Sequence, residues 1–110
     1  MKELSYADRH VVTADEIADG VLQYAKALAS NHAADTVTMP AVGEDGEVRD
    51  VEFLIGPSSQ ITSIPVADRE VRIPVEATLT DLADRTRALR GHHVVSPAPV
   101  IPDDFDPDYP

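Results

Sequence analysis

Apolar and polar residues alternate in two stretches on either side of a turn-rich centre, and this pattern predicts a β-hairpin over residues 35–56. Successive side chains of a strand point to opposite faces, so residues two apart share a face. The apolar residues that follow this rule are Val37, Met39, Ala41, Val51, Phe53 and Ile55. Each strand therefore has one apolar face that can cover a core.

The turn of this hairpin decides which residues face each other. A two-residue turn at the Asp-Gly pair would place Met39 opposite Glu52 and mix apolar with charged positions. A three-residue loop at 44–46 instead pairs Met39 with Val51, and it puts Gly46 where a left-handed residue is common. We expect the second register, because a slip by one residue would turn the apolar set of one strand to the solvent.

A helix is predicted to begin after residue 13. Thr13 and Glu16 have the spacing of a capping box, in which each side chain bonds a backbone N–H of the other residue. Asn31 is the predicted C-cap. Residues 1–12 are expected to form a mobile lead or a short edge strand. The apolar positions at helical spacing are Ile17, Val21, Tyr24, Ala25 and Leu28.

Two further strands and a second helix are predicted beyond the hairpin. The strands are expected over residues 60–66 and 70–75, and the helix over 79–90. Thr78 or Thr80 is expected to cap the start of this helix, and Gly91 to end it. Proline cannot donate to a strand ladder, so its presence in three predicted strands favours edge or bulged positions. These prolines are Pro40, Pro65 and Pro74.

The predicted fold class is α+β, with an antiparallel β-meander of three to four strands and two helices on one face. The expected order of elements is α-β-β-β-β-α. Residues 13–93 would form the single domain, after the lead at 1–12. Residues 94–110 are rich in proline and acidic side chains, and we expect them to form an extended tail.

The net charge of the chain limits the classes of molecule that are expected to bind it. It has 20 acidic and 9 basic residues, which gives a net charge of -11. Nucleic acid is not an expected partner, because phosphate binding needs clusters of cations. A basic protein is a better match for such a charge.

The expected cellular compartment depends on whether the sequence contains cysteines, a membrane-spanning run or a signal region. The chain has no cysteine, so no disulfide is expected. It has no apolar run long enough to span a membrane, and its first ten residues are charged and lack a hydrophobic signal region. We therefore expect a cytoplasmic protein without membrane contact.

No motif for catalysis, phosphate binding or metal binding is found. His92 and His93 are adjacent, and adjacent side chains rarely chelate one metal well. Ser58 and Ser59 follow Gly-Pro in the sequence GPSSQ, which does not match the G-x-S-x-G nucleophile elbow. The five glycines are scattered and form no phosphate loop. We expect no catalytic residue, no metal and no cofactor.

Three features are candidates for partner binding: the acidic tip of the hairpin, a basic end of the second helix, and the tail. The tail combines apolar with acidic residues, so it can dock in a groove or on the basic helix end, within a subunit or across a dimer. The residues concerned are Glu44, Asp45 and Glu47 at the tip, Arg85, Arg87 and Arg90 on the helix, and Phe105 and Tyr109 in the tail.

These observations predict a non-enzymatic protein-interaction module, of the kind found among adaptors, antitoxins, immunity proteins and accessory chaperones. Its expected partner is a protein, and a basic one fits best. Two alternatives stay open. One is a structural domain that forms homo-oligomers, most simply a dimer. The other is a small-ligand binder or an enzyme whose site is spread over the fold and has no sequence motif.

Overall fold

The structure, a computed structural model, describes residues 1–95 of the 110-residue chain, with side chains as far as Arg90. It has an α+β fold with a five-stranded antiparallel sheet, in the order β4-β3-β2-β1-β5, and two helices. The strands are β1 (Lys2–Tyr6), β2 (Arg9–Thr13), β3 (Asp35–Val42), β4 (Val48–Ile55) and β5 (Ile61–Pro65), and the helices are α1 (Asp15–Ser30) and α2 (Glu76–Val95).

The predicted hairpin is confirmed as β3 and β4, with the expected register. Met39 pairs with Val51, and Asp35 at the far end pairs with Ile55. The N–H of Gly43 donates to the carbonyl of Glu47 at 2.8 Å, which leaves the three residues 44–46 as the loop. Gly46, the last of them, has a φ of 83°. Burial of one face therefore selected the register, as the alternation of apolar residues required.

The N-terminal residues are not a lead or an edge strand. They form the β1–β2 hairpin, and both strands lie inside the sheet. The turn consists of Ala7 and Asp8, since Tyr6 pairs with Arg9. Ala7 has a φ of 55°, although this turn contains no glycine or asparagine. The usual sequence signal of a tight hairpin is missing here.

The sheet is not a meander, because β4 and β5 follow each other in the chain but lie at opposite edges. β5 pairs with β1, where Ile61 faces Tyr6. The predicted strand at 70–75 is also wrong: this segment is irregular, and Ile73 packs into the core with 9% of its surface exposed. Alternating apolar residues indicate that one side of a segment is buried, but they do not show that its backbone pairs with a neighbouring strand.

Helix α1 follows its predicted apolar stripe but not its predicted start. The N-cap is Ala14, without a side-chain cap bond. Thr13 belongs to β2, and its hydroxyl donates to the carbonyl of Pro40 at 2.8 Å. The C-cap is confirmed at Asn31, whose side-chain amide donates to the Ala27 carbonyl at 2.8 Å. The buried residues of the helix are Ile17, Ala18, Val21, Tyr24, Ala27 and Leu28.

Helix α2 is longer than predicted at both ends. It begins at Glu76, so Thr78 and Thr80 lie within it and do not cap it. It continues through Gly91 to Val95, so the last two valines belong to the helix and not to the tail. Glycine in a helix costs only about 1 kcal/mol relative to alanine, too little to end one by itself. The remaining residues of the predicted tail, 96–110, lie outside the described residues.

The position of Pro40 explains how β3 can lie inside the sheet. β3 has β4 on one side and β2 on the other, but its register with β2 consists of the single pair Val12–Val42. Pro40 has no backbone N–H that could donate to β2, and its carbonyl accepts a hydrogen bond from the Thr13 hydroxyl instead of from a β2 backbone N–H. The β1–β2 and β3–β4 hairpins are therefore joined at one corner only. Pro40 therefore lies where the two hairpins are joined by few contacts, and not at an edge of the sheet, whereas Pro65 does lie in an edge strand, β5.

Candidate interaction surfaces

The acidic tip lies at the loop end of the β3–β4 hairpin, opposite the end where Asp35 pairs with Ile55. Glu44, Asp45 and Glu47 are all exposed there. The N–H of Gly46 donates to the Gly43 carbonyl at 3.0 Å and closes a turn inside the loop. This turn, followed by a left-handed glycine, has the geometry of a common three-residue hairpin loop. The carboxylates are thus presented by a hydrogen-bonded turn.

Asp45 is the one tip carboxylate that is held in place. Arg49 donates a hydrogen bond to its Oδ2, and the N–H of Glu47 donates to its Oδ1 at 3.0 Å. The Arg49 hydrogen bond, followed by the Glu47 N–H, holds the pKa of Asp45 below its ordinary value. The charge of Asp45 is therefore partly satisfied within the loop.

The other carboxylates of this hairpin end have no such compensation. Four acidic side chains are exposed, and none forms an ion pair with another described residue. Arg49, the cation of the hairpin, is already bonded to Asp45. The region is therefore a patch of excess negative charge, which we call the acidic patch. It consists of Glu44, Glu47, Asp50 and Glu52, together with the paired Asp45.

The basic end of α2 is different, because its arginines bond carboxylates of this same chain. Arg85 donates from Nη1 to Asp35 Oδ2 at 2.7 Å and from Nε to Asp81 at 3.1 Å. Arg87 donates to Asp84 at 3.1 Å. Arg90 is exposed. Two of the three arginines predicted to receive an acidic partner are thus engaged in the fold.

Asp35 is the centre of the contacts made by Arg85. The hydroxyl of Tyr24 donates to its Oδ2 at 2.5 Å, so both helices reach the same carboxylate on β3. Arg85 Nη1 also donates to the Thr36 carbonyl at 3.2 Å. These bonds join α1, α2 and β3. We call the three residues Tyr24, Asp35 and Arg85 the anchor.

The anchor shifts the titration of each of its members. The Tyr24 hydroxyl, more than the nearby arginine, holds the pKa of Asp35 below its ordinary value. Burial, reinforced by the Asp35 carboxylate, raises the pKa of Tyr24. The hydrogen bond to Asp81 is the main cause of the raised pKa of Arg85. All three shifts keep Asp35 and Arg85 charged and Tyr24 protonated at neutral pH.

The structure keeps the predicted surfaces apart. The acidic patch extends from the loop that joins β3 to β4, whereas Arg85 bonds Asp35 at the other end of β3. β3 has eight residues, which corresponds to about 26 Å at the usual rise of a strand. Phe105 and Tyr109 lie outside the described residues. The sequence-predicted site residues therefore do not form a single site.

Two residues of the anchor, Tyr24 and Asp35, were not among the candidate site residues predicted from the sequence. Tyr24 lies on the apolar stripe of α1 and was interpreted as core packing, and only 4% of its surface is exposed. Its hydroxyl reaches the polar end of β3, which only the docking of α1 on the sheet can bring near. Asp35 was assigned to the start of a strand without a role. A tyrosine, with its polar hydroxyl, within an otherwise aliphatic stripe was the one available signal.

Among residues 1–90, whose side chains the structure describes, no group of three or more His, Asp or Glu side chains is arranged to hold a metal ion. Within residues 1–95, neither helix is both long and apolar enough to cross a membrane. Comparison of the chain with protein-family models, with curated proteins and with solved structures finds no match.

Proposed function

We propose that this protein is a non-enzymatic interaction module that binds a basic partner protein through the acidic patch. The observation that carries the proposal is the uncompensated charge of Glu44, Glu47, Asp50 and Glu52 on one exposed hairpin end. Complementary charge increases the rate of encounter and selects against partners of the same sign. An adaptor, an antitoxin, an immunity protein or an accessory chaperone would use such a surface. The cytoplasmic location stays a prediction.

The arrangement of the hairpin supports this role. The patch extends from the loop onto β4, and this strand also contributes to the core through Ile55, which is fully buried. Its loop is closed by hydrogen bonds and by the Arg49–Asp45 pair. A surface on a rigid element is presented with little loss of conformational entropy on binding. The backbone that carries the carboxylates is thus fixed by hydrogen bonds, and the four unpaired carboxylates remain available to a partner.

The test is a comparison of charge-reversed variants in affinity capture from the native lysate. We expect the wild-type chain to retain a stoichiometric basic protein, and the variant Glu44→Lys with Glu47→Lys to lose it. The matched control is Glu70→Lys with Glu76→Lys, which changes the net charge equally at two other exposed positions. The control should retain the partner. Equal retention by both variants would show that the acidic patch is not the binding surface.

A second candidate, a homo-oligomeric domain, is favoured by two exposed apolar residues. Leu54 on β4 and Ile64 on β5 have 59% and 47% of their surface exposed. Burial of such residues between copies would be favourable. Sedimentation equilibrium decides between the candidates: a dimer that Leu54→Ser or Ile64→Ser dissociates supports self-assembly. A monomer at all concentrations contradicts it.

A further inference from the structure

Of the two sheet edges that no strand among residues 1–95 covers, the outer edge of β4 is the longer. β4 has eight residues, whereas β5 at the opposite edge has five. In an antiparallel pair, alternate residues direct both backbone groups to the neighbouring strand. The N–H of Gly43 donates to the Glu47 carbonyl across the ladder, which fixes the phase, so Val48, Asp50, Glu52 and Leu54 turn their backbone groups away from β3.

A side-chain contact confirms this phase and shows which part of the edge is open. The Leu54 carbonyl points outward and accepts a hydrogen bond from the Tyr6 hydroxyl. Among residues 1–95, no strand pairs with the outer edge of β4. The outward backbone groups of Val48, Asp50 and Glu52 are therefore available to another chain.

A cavity of about 290 Å³ opens beside this free edge. Tyr6 crosses from β1 towards β4, and its ring centre lies 5.8 Å from that of Phe53. The cavity is far larger than the roughly 30 Å³ that one water molecule occupies. Its apolar lining comes from Leu4, Val11, Val51, Phe53 and Ile61, and the charged residues Arg9 and Glu52 also border it.

The two faces of β4 define which strand would fit next to it. Val51 and Phe53 share the face that lines the cavity, whereas Asp50 and Glu52 alternate with them along β4 and are exposed, and Glu52 also borders the cavity. Side chains of an added strand would alternate between these two environments. The matching segment therefore alternates apolar residues, for the cavity, with lysine or arginine, for the carboxylates.

The opposite edge of the sheet does not offer the same site. The N–H of Val66 donates to the Met1 carbonyl at 3.0 Å, which fixes the phase of β5 against β1. Pro65, one residue earlier, is therefore turned outward and has no N–H to donate. Short edge strands with proline are a common means of preventing strand addition. Within the outward-facing backbone of β4 from Val48 to Leu54 there is no proline.

We propose that the outer edge of β4, from Val48 to Phe53, binds an extended segment of a basic partner protein as a sixth strand. The apolar side chains of this segment occupy the cavity, and its cations lie beside Asp50 and Glu52. Backbone hydrogen bonds supply affinity and the alternation supplies specificity, as in other cases of strand addition. The inference rests on the proposed function and specifies how the partner docks.

The first experiment measures binding of labelled, terminally blocked peptides by fluorescence polarisation. One peptide alternates lysine and valine, and a second has the same composition with its lysines and valines in separate blocks. We expect the alternating peptide to bind at least about tenfold more tightly, because only it can place charge and apolar groups on opposite faces. Equal affinities would overturn strand addition but leave charge-driven binding by the acidic patch intact. Absence of binding by both peptides would overturn the proposed function as well.

The second experiment tests the backbone hydrogen bonds without changing the protein. Two N-methylated forms of the alternating peptide each lose the N–H donors of one edge. Only one edge of an added strand can face β4, so one form should lose binding by about tenfold or more and the other should bind as before. Similar affinities of the two forms would show that no ladder is made with β4.

A pair of variants locates the ladder on the protein. Glu52→Pro removes the charge and the outward N–H, whereas Glu52→Thr removes the charge and keeps the N–H. Both should unfold at similar urea concentrations, because the N–H of residue 52 is not used by β3. We expect Glu52→Thr to weaken binding of the alternating peptide modestly and Glu52→Pro to abolish it. Equal binding by the two folded variants would place the peptide elsewhere. If Glu52→Pro does not fold, slowed amide exchange of Glu52 in the bound wild-type protein gives the same information.

Discussion

The two ends of the β3–β4 hairpin use the same pair of residue types for different purposes. At one end Asp35 bonds Arg85, and at the other Asp45 bonds Arg49. Asp35 also accepts the hydroxyl of buried Tyr24, and its contacts join three elements. The Asp45 pair is local, within four residues of one loop. The role of an aspartate–arginine pair therefore depends on its surroundings. A pair that joins separate elements beside buried residues supports the fold, whereas a local, exposed pair only shapes a surface.

The largest expected difference between the two ends concerns packing. Ile55 pairs with Asp35 at the anchored end and is fully buried, whereas Val48 near the tip is only half-buried. Ile55→Ala should lower the free energy of unfolding by about 2–5 kcal/mol, because it leaves a cavity in the core. Val48→Ala should lower it by about 1 kcal/mol. Urea unfolding of both variants checks this, and equal losses would show that the tip is as well packed as the anchored end of the hairpin.

The next effect concerns the Tyr24 hydroxyl. Tyr24→Phe should lower the free energy of unfolding by about 1 kcal/mol, the usual contribution of one hydrogen bond. It should also raise the pKa of Asp35 towards its ordinary value, since the hydroxyl is the largest cause of the shift. Urea unfolding and NMR titration of the Asp35 carboxyl measure the two effects. An unchanged pKa would contradict the assignment of the hydrogen bond.

The anchor should also make stability depend on pH. The pKa of Asp35 is lower in the folded chain than its ordinary value of 3.8. The contribution of ionised Asp35 to the free energy of unfolding is therefore present above pH 3.8, and it is lost as the pH falls through the pKa of Asp35 in the folded chain. Asp35 is about one-third exposed, so solvent screening limits this contribution to about 1 kcal/mol at most. Asp35→Asn should remove it, which makes the acid unfolding curves of variant and wild type converge. A constant difference at every pH would contradict the linkage.

The smallest expected effect is at the tip. Arg49→Gln removes the partner of Asp45, and both side chains are well exposed. Exposed pairs contribute little, so the unfolding midpoint should not change measurably. The pKa of Asp45 should rise towards its ordinary value. The alternating cationic peptide should bind the variant slightly more tightly, because the acidic patch gains net negative charge. Weaker binding would indicate that the pair, not the charge, shapes the surface.

Local patterns of the sequence determined the elements whose signals are local. Alternation at residues 37–55 determined both the β3–β4 hairpin and its register, since one misplaced residue would expose a whole apolar face. The period of α1 and its cap at Asn31 were likewise readable. The acidic tip was readable because exposed carboxylates at a loop need no distant partner. Helix α2 was predicted correctly as an element, but the prediction that Gly91 ends it was wrong.

Only the tertiary structure decided how these elements meet. The β1–β2 hairpin was missed because its turn uses Ala7 in a left-handed conformation, a choice that no residue preference indicates. The place of β5 beside β1 depends on pairing between residues about sixty positions apart. Asp35, Tyr24 and Arg85 are likewise distant in the chain, and their meeting requires a side chain from each helix to reach the same end of β3. Local sequence patterns specify which side of an element is buried, but the partner it is buried against depends on the packing of the whole chain.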